Sequence, residues 1–329
     1  MQTKLLGATG LPVSRLALGT MTFGLQSDEH TAIAILDRAT EAGINLLDLA
    51  DVYPLGGDHS TVGRTEEIVG RWLEGKRQRF IVATKAVGKV GPAEWDEGAS
   101  RKHLLAAIDG SLRRLRTDYV DLYQLHWDDT RTPLDETLEA LDWIVRAGKA
   151  RYIGVSNFLS YRLALALGKA EARQWTRFVS VQPRYNLLFR EIERELLPLS
   201  REAGLGVIPY NPLAGGLLTG KHRVGAPTPN TRFTLGTAAQ RYQDRYWHER
   251  EFRTMEAIER LATQSGHSLT TVSLAWVLAN PDVTAPIIGV SRPEQLPELL
   301  KAVELPLDAQ LKLRLDELTA EYRRGDAGR

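Results

Sequence analysis

The feature that most constrains this chain is a repeat of pattern rather than of residues. Short runs rich in Val, Ile, Leu and aromatic side chains alternate with longer stretches of helical periodicity along most of the sequence. The candidate strands are 15–19 (RLALG), 45–48 (NLLD), 80–85 (FIVATK), 119–126 (YVDLYQLH), 151–155 (RYIGV), 178–182 (FVSVQ), 206–210 (GVIPY) and 284–288 (TAPII). Runs so continuously apolar suit parallel strands covered on both faces. Helical patterns fall between them at 28–42, 65–74, 100–115, 133–147, 160–173, 191–203, 270–278 and 293–303. Several carry start and stop signals. The first is bracketed by SDEH and Gly43, the third opens on Ser100, and the fourth runs from Thr-Pro to Gly148.

Eight strand–helix units predict an α/β fold, a (β/α)8 TIM barrel. Such barrels typically need about 250 residues, and this chain has 329. The surplus is expected in a long loop after strand 7 and in a C-terminal helix. The interval after the seventh strand carries Gly215, Gly216, Gly220, Gly225, Pro227 and Pro229, then a helical stretch over 240–265, while 308–324 reads as a terminal helix. The segment before the first strand reads as a hairpin turning at Ala8-Thr9-Gly10. No linker divides the chain, so one domain over 1–329 is expected.

Composition excludes several functions. Lys and Arg total 42 against 41 Asp and Glu, a net charge of +1, so no global field draws the protein to nucleic acid or an anionic membrane. With no cysteine there is no disulfide scaffold, thiolate metal site or catalytic thiol. No apolar run reaches the length of a membrane span, and the first residues lack a signal-peptide core, so a cytoplasmic location is expected.

Barrel chemistry sits at the C-terminal ends of the strands. Four titratable residues fall there on consecutive units: Asp48 closes the second strand, Tyr53 follows in the next loop, Lys85 closes the third and His126 the fourth. Each alone has an ordinary structural explanation, as a turn residue, a packing aromatic, a solvated cation and a core histidine. Their common position on one rim points instead to a shared site.

The segments GINLLDLADVY, VATK, DYVDLYQLHW, IGVSNF, VQPRYNLLFR, PYNPLAGGLLTGK and IIGVSRPEQLPE occur in this order over nearly the whole chain. Together they resemble the aldo-keto reductase superfamily, and in particular a bacterial-type NADPH-dependent aldo/keto reductase similar to the branch of channel β subunits. The resemblance implies a barrel that binds NADPH and reduces aldehydes and ketones. Its catalytic tetrad would be Asp48, Tyr53, Lys85 and His126. Tyr53 would be the general acid, with Lys85 lowering its pKa, Asp48 holding Lys85, and His126 orienting the carbonyl. Family members that reduce steroid carbon–carbon double bonds carry Glu at the His126 position, so the histidine favours carbonyl reduction.

No GxGxxG is present, so cofactor binding rests on the resemblance. By it, Ser156, Asn157 and Gln182 would hold the carboxamide and Tyr210 would stack on the nicotinamide. Asn211, Pro212, Leu213, Gly216, Leu217 and Lys221 would line the pyrophosphate, with Gly19, Thr20, Met21 and Asp48 approaching from the first two strands. Gly289, Ser291, Arg292, Gln295 and Glu298 would take the adenosine phosphate. Arg292 suits a 2′-phosphate, which favours NADPH over NADH. Two positions depart from the family pattern: Leu49 replaces a usual Thr, and Leu299 an Asn that contacts adenine.

Residues 215–221 (GGLLTGK) imitate a P-loop, but His222 stands where Ser or Thr would bind magnesium, and glycine and prolines follow instead of a helix. For the substrate, Phe23, Trp95, Trp127, Phe158 and either Tyr246 or Trp247 are candidate pocket walls, Trp127 foremost because it adjoins His126. The expected ligand is a small-molecule carbonyl compound; neither nucleic acid nor membrane is an expected partner, and the oligomeric state stays open. Two alternatives compete: a cofactor-binding interaction subunit with little turnover, and a metal-dependent barrel using His126, Asp128 and Asp129. No metal is expected, because HWDD is too local to complete a site.

Overall fold

The computed structural model describes residues 1–325; the last four residues of the expected domain span lie outside the described residues. Strands β1 (Thr3–Leu5) and β2 (Pro12–Ser14) form an antiparallel hairpin. The remaining strands are β3 (Ala17–Gly19), β4 (Leu46–Asp48), β5 (Ile81–Ala86), β6 (Val120–Leu125), β7 (Ala150–Ser156), β8 (Phe178–Gln182), β9 (Gly206–Val207) and β10 (Ile287–Gly289). They make one parallel sheet in the order β10-β3-β4-β5-β6-β7-β8-β9. Isolated parallel bridges Val207–Val283 and Tyr210–Ile287 bring its two edges together. The fold is an α/β architecture of the TIM-barrel kind, with helices around the curled sheet.

Strand alternation sets the site. Ala17, Leu46, Ile81, Ala83, Leu122, Ile208, Ala285 and Ile287 pack together as one cluster, apart from the larger strand–helix core. Side chains two residues apart share a face. Leu46 therefore puts Asp48 inward, Ala83 puts Lys85 inward, and Leu122 does the same for Gln124. Register aligns them further: Asp48 pairs with Ala83, Lys85 with Gln124, and Ser156 with Gln182. The hairpin closes the opposite end, with Leu6 and Val13 buried in the same cluster. Its turn needs Gly7, whose φ is +59° and whose place would put a Cβ 2.5 Å from the Gly204 carbonyl oxygen.

Three expectations are corrected at element ends. The seventh strand stops at Val207, short of Pro209, which has no N–H to donate; beyond it the chain meets its neighbours through isolated bridges of Tyr210 to Arg184 and to Ile287. The eighth strand starts at Ile287, just past Pro286. The stretch 240–265 is two helices, Ala239–Tyr246 and Glu249–Gln264, broken at Trp247-His248. The chain between β9 and β10 holds those helices and Leu269–Leu278, and Ala309–Leu318 forms a helix near the end. Among the described residues no helix is long and apolar enough to cross a membrane.

Candidate active site

Lys85 is fully buried, and its ammonium donates to Asp48 Oδ2 at 2.7 Å and to the Leu49 carbonyl at 2.6 Å. Tyr53 Oη lies 3.5 Å from Lys85 Nζ, at the outer limit of a hydrogen bond. The second Asp48 oxygen accepts from Gln182 Nε2 at 2.8 Å and from Gln124 Nε2 at 3.5 Å. His126 follows β6, with its backbone N–H donating to the Ala86 carbonyl and its ring 5.8 Å from that of Tyr53, edge to face. The four rim residues selected from the sequence therefore stand together.

The electrostatics of the site are set first by burial. Burial pushes the phenol well above its ordinary 10.0, and the Asp48 charge pushes the same way. Lys85 itself is held below its usual value, because burial outweighs the pull of Asp48. His126 is held well below 6.5, by burial first and then by the charges of Lys85 and Arg241. At neutral pH the site thus presents a protonated phenol and a neutral imidazole, whose Nδ1 has no hydrogen-bond partner among the described residues.

Above these groups opens a cavity of about 920 Å³, within the range that takes a drug-sized ligand or cofactor. Gly19, Thr20, Met21, Asp48, Tyr53, His126, Ser156, Asn157, Gln182 and Tyr210 line one part of it. Asn211, Pro212, Leu213, Gly216, Lys221, Gly289, Ser291, Gln295 and Glu298 line another. Leu217 instead packs in the core, and Arg292 projects into solvent at the edge, close enough for its charge to lower the pKa of Lys221. Of the proposed aromatic walls only Trp127 borders the cavity. Phe23 and Phe158 are core side chains, Phe158 against Phe178, and Trp95 stands 59% exposed beside Lys102. Apolar residues next to strand ends turned into the strand–helix layer, which a linear reading does not separate from the mouth.

Several lining groups are already committed. Asn157, at φ +56°, donates to the His126 carbonyl and accepts from Tyr210 Oη at 2.8 Å. Ser156 Oγ donates to the Gln182 carbonyl. Gln295 accepts from the Ser291 N–H, and Glu298, bonded by Lys301 and Ser268, has its pKa held down to about 2. Asp128 is engaged by Arg162 through two hydrogen bonds, and Asp129 accepts from the Ala99 N–H and Thr132. Among the described residues no group of three or more His, Asp or Glu side chains is placed to hold a metal ion.

Sequence reasoning missed Gln124 and the contribution of residues 230–245. Gln124 was legible, lying two before His126 on an alternating strand. Asn230, Thr231, Arg232, Thr237, Arg241, Tyr242 and Arg245 also line the cavity. Only the four-residue spacing of Arg241 and Arg245 on a helical stretch hinted at them.

Comparison with known proteins places the chain in a family. The chain belongs to the aldo/keto reductase family, whose model matches residues 15–320. It is 41% identical to the uncharacterized oxidoreductase YrpG of Bacillus subtilis over 97% of this chain and 96% of that protein. It is 37% identical to a probable voltage-gated potassium channel subunit beta of rice, over 93% of this chain and 92% of the relative. It is 34% identical to the L-glyceraldehyde 3-phosphate reductase of Escherichia coli, over 92% and 88% respectively.

Proposed function

We propose that this protein is an NADPH-dependent reductase of small aldehydes and ketones, with Tyr53 as proton donor. The observation that carries the reading is the Tyr53–His126 pair facing one cavity above the buried Lys85–Asp48 ion pair. The remaining lining fits a nicotinamide dinucleotide. Burial first, and then the charges of Arg232 and Arg292, hold the pKa of Lys221 below its usual value, and such a gathering of cations suits an anionic ligand. The chain turns through left-handed Ala214, Gly215 and Gly216 beside Lys221, a backbone form that offers N–H groups to phosphate. Ser156, Asn157 and Gln182 would hold the carboxamide, Tyr210 the ring face, and Ser291, Arg292 and Gln295 the 2′-phosphate end.

When bound, NADPH supplies a hydride to the carbonyl carbon. The protein's part is the proton and the developing charge. Tyr53, protonated at neutral pH, gives its phenolic proton to the carbonyl oxygen. Neutral His126 fixes that oxygen by a hydrogen bond. As the phenolate forms, the Lys85 ammonium, 3.5 Å from the phenolic oxygen, stabilises it. Asp48, held by Gln182 and Gln124, keeps Lys85 placed and charged. The alternative role, a cofactor-bound interaction subunit, uses none of this proton chemistry.

The test is loss of NADPH absorbance over a panel of aldehydes. Turnover is expected, and Tyr53→Phe should lower kcat by about 10²–10⁴-fold, the usual size of general-acid catalysis, while NADPH still binds. Full activity in that variant would remove the proposed acid; no turnover in the native protein would favour the interaction role.

A further inference from the structure

Gln124 is fully buried inside the barrel and does not border the cavity. Its place is prepared by the sheet. Register sets it beside Lys85 on one side and Gly154 on the other. A Cβ at Gly154 would stand 3.4 Å from Gln124 Cγ and 2.4 Å from Ser180 Oγ, so the glycine leaves room for the longer side chain. A polar side chain at this depth needs partners. Among the described residues Gln124 has two. Its Nε2 lies 3.5 Å from Asp48 Oδ1, and its Oε1 lies 3.5 Å from Gln182 Nε2. Each contact is long and weak by itself, but the three groups close a ring, and Gln124 bonds nowhere else among the described residues.

The two ends of an amide are told apart by their partners. Asp48, in its ion pair with Lys85, only accepts hydrogen bonds. The atom that Gln182 turns to Asp48 Oδ1 at 2.8 Å is therefore its nitrogen. That spends one N–H, and Gln124 Oε1 takes the nitrogen's other side. With both N–H groups directed inward, Gln182 shows the cavity its carbonyl oxygen, an acceptor. Without Gln124 the second N–H would have no inner partner, and the Gln182 amide would be free to turn it toward the ligand.

We propose that Gln124 is a positioning residue: it fixes the Gln182 amide with its oxygen toward the cavity, so that the site accepts a hydrogen bond from the ring substituent of a bound dinucleotide. The inference rests on the nicotinamide reading of the cavity and names the group that gives this place its polarity. A carboxamide offers an NH2 that such an oxygen takes, whereas a methyl ketone at the same ring position does not.

The experiment compares dissociation constants, read by quenching of tryptophan fluorescence, for NADP+ and for its 3-acetylpyridine analogue, in which a methyl group replaces the carboxamide NH2. The native protein should prefer NADP+ by about three- to tenfold, the size of one neutral hydrogen bond. Gln124→Met and Gln124→Leu remove the amide with little change of volume, and either should bring the ratio to within about twofold of unity. In a Gln182→Met background the same substitutions should leave the ratio where Gln182→Met alone puts it, because Gln124 acts through Gln182. No preference in the native protein, an unchanged ratio in the Gln124 variants, or a further fall in the Gln182→Met background overturns the proposal. So does an equal loss of affinity for both nucleotides, which is what a packing defect alone would give. If the native protein binds neither nucleotide, the nicotinamide reading falls by itself. The ligand-free protein then still decides the role of Gln124. In NMR spectra of protein labelled at the glutamine side-chain nitrogen, the Gln182 NH2 protons, assigned with Gln182→Met, should exchange slowly with solvent. In Gln124→Met they should exchange at least about tenfold faster; equal exchange would eliminate the tie.

Discussion

At the strand ends, Asp48, Lys85, Gln124 and Gln182 hold one another through hydrogen bonds fixed by sheet register. In the excursion between β9 and β10 the opposite holds. Lys221, Arg232, Arg241 and Arg245 border the same cavity, and among the described residues none of them forms an ion pair with a carboxylate. Arg232 instead reaches Met21 Sδ at 3.4 Å and Tyr242 Oη at 3.2 Å. The excursion is stabilised by aromatic packing: Phe233 is fully buried, with its ring 5.0 Å from that of His222, 4.6 Å from Trp247 and 6.4 Å from Tyr242. One region is thus held together by its own hydrogen bonds, and the other keeps cations without a carboxylate partner among the described residues. Preorganised dipoles cost no reorganisation during reaction, whereas unpaired cations on a separately packed segment bind only when the ligand arrives.

The strongest attack on this contrast is Phe233→Ala. Truncating a buried phenylalanine costs about 3–5 kcal/mol. If the excursion packs largely by itself, that loss falls locally. NADPH affinity should drop sharply and proteases should cut within 222–247, while the main thermal transition moves little. A large fall in the main transition with no preferential nicking would show that the excursion is one cooperative unit with the barrel.

A smaller effect separates the two ends of the cavity. Arg292 is exposed and acts on Lys221, so Arg292→Ala should weaken NADPH about tenfold more than NADH, one charge-assisted contact to the extra phosphate. Equal loss for both cofactors would remove the 2′-phosphate assignment. The rim tetrad should be untouched, so kcat at saturating NADPH should hold.

These two regions also differ in how much of them the sequence disclosed. Asp48, Lys85 and His126 were legible because a strand has a two-residue period and a parallel sheet puts its C-terminal ends together. The same rule reached Gln124 without being applied to it. Phe23 and Phe158 show the limit: near a strand end, one residue of offset decides between the cavity and the strand–helix core. The excursion follows no such period. Its glycines and prolines announced a long connection, but Arg232 and Arg241 owe their position to the turns at 232–238 and to the Phe233–Trp247 packing, which are tertiary effects. The raised pKa of Tyr53 was equally out of reach, because it depends first on how completely the phenol is buried.

The smallest expected effect compares two histidines. His126 at the rim and His222 in the excursion are both held below 6.5, in each case by burial first. His222 has its pKa lowered to about 4, with Lys221 adding to the burial. Its Nδ1 meets Thr228 Oγ1 at 3.0 Å, and its Nε2 has no hydrogen-bond partner among the described residues. The sign follows from linkage. Between about 4 and 6.5 the unfolded segment binds a proton that the folded segment refuses, so folding stability is present above 6.5 and is lost as pH falls toward 4. In His126 that loss is spread over the sheet that carries it. In His222 it falls on the small aromatic cluster alone, and the cofactor end of the cavity should loosen first. From about pH 7.5 to about 5 the NADPH dissociation constant of the native protein should therefore rise more steeply than that of His222→Gln, by less than about tenfold. Comparing slopes rather than levels removes any packing defect of the variant and the titration of the cofactor phosphate, which both proteins share. Parallel slopes would mean that the excursion does not open over this range, and that its charges are held as rigidly as those of the rim.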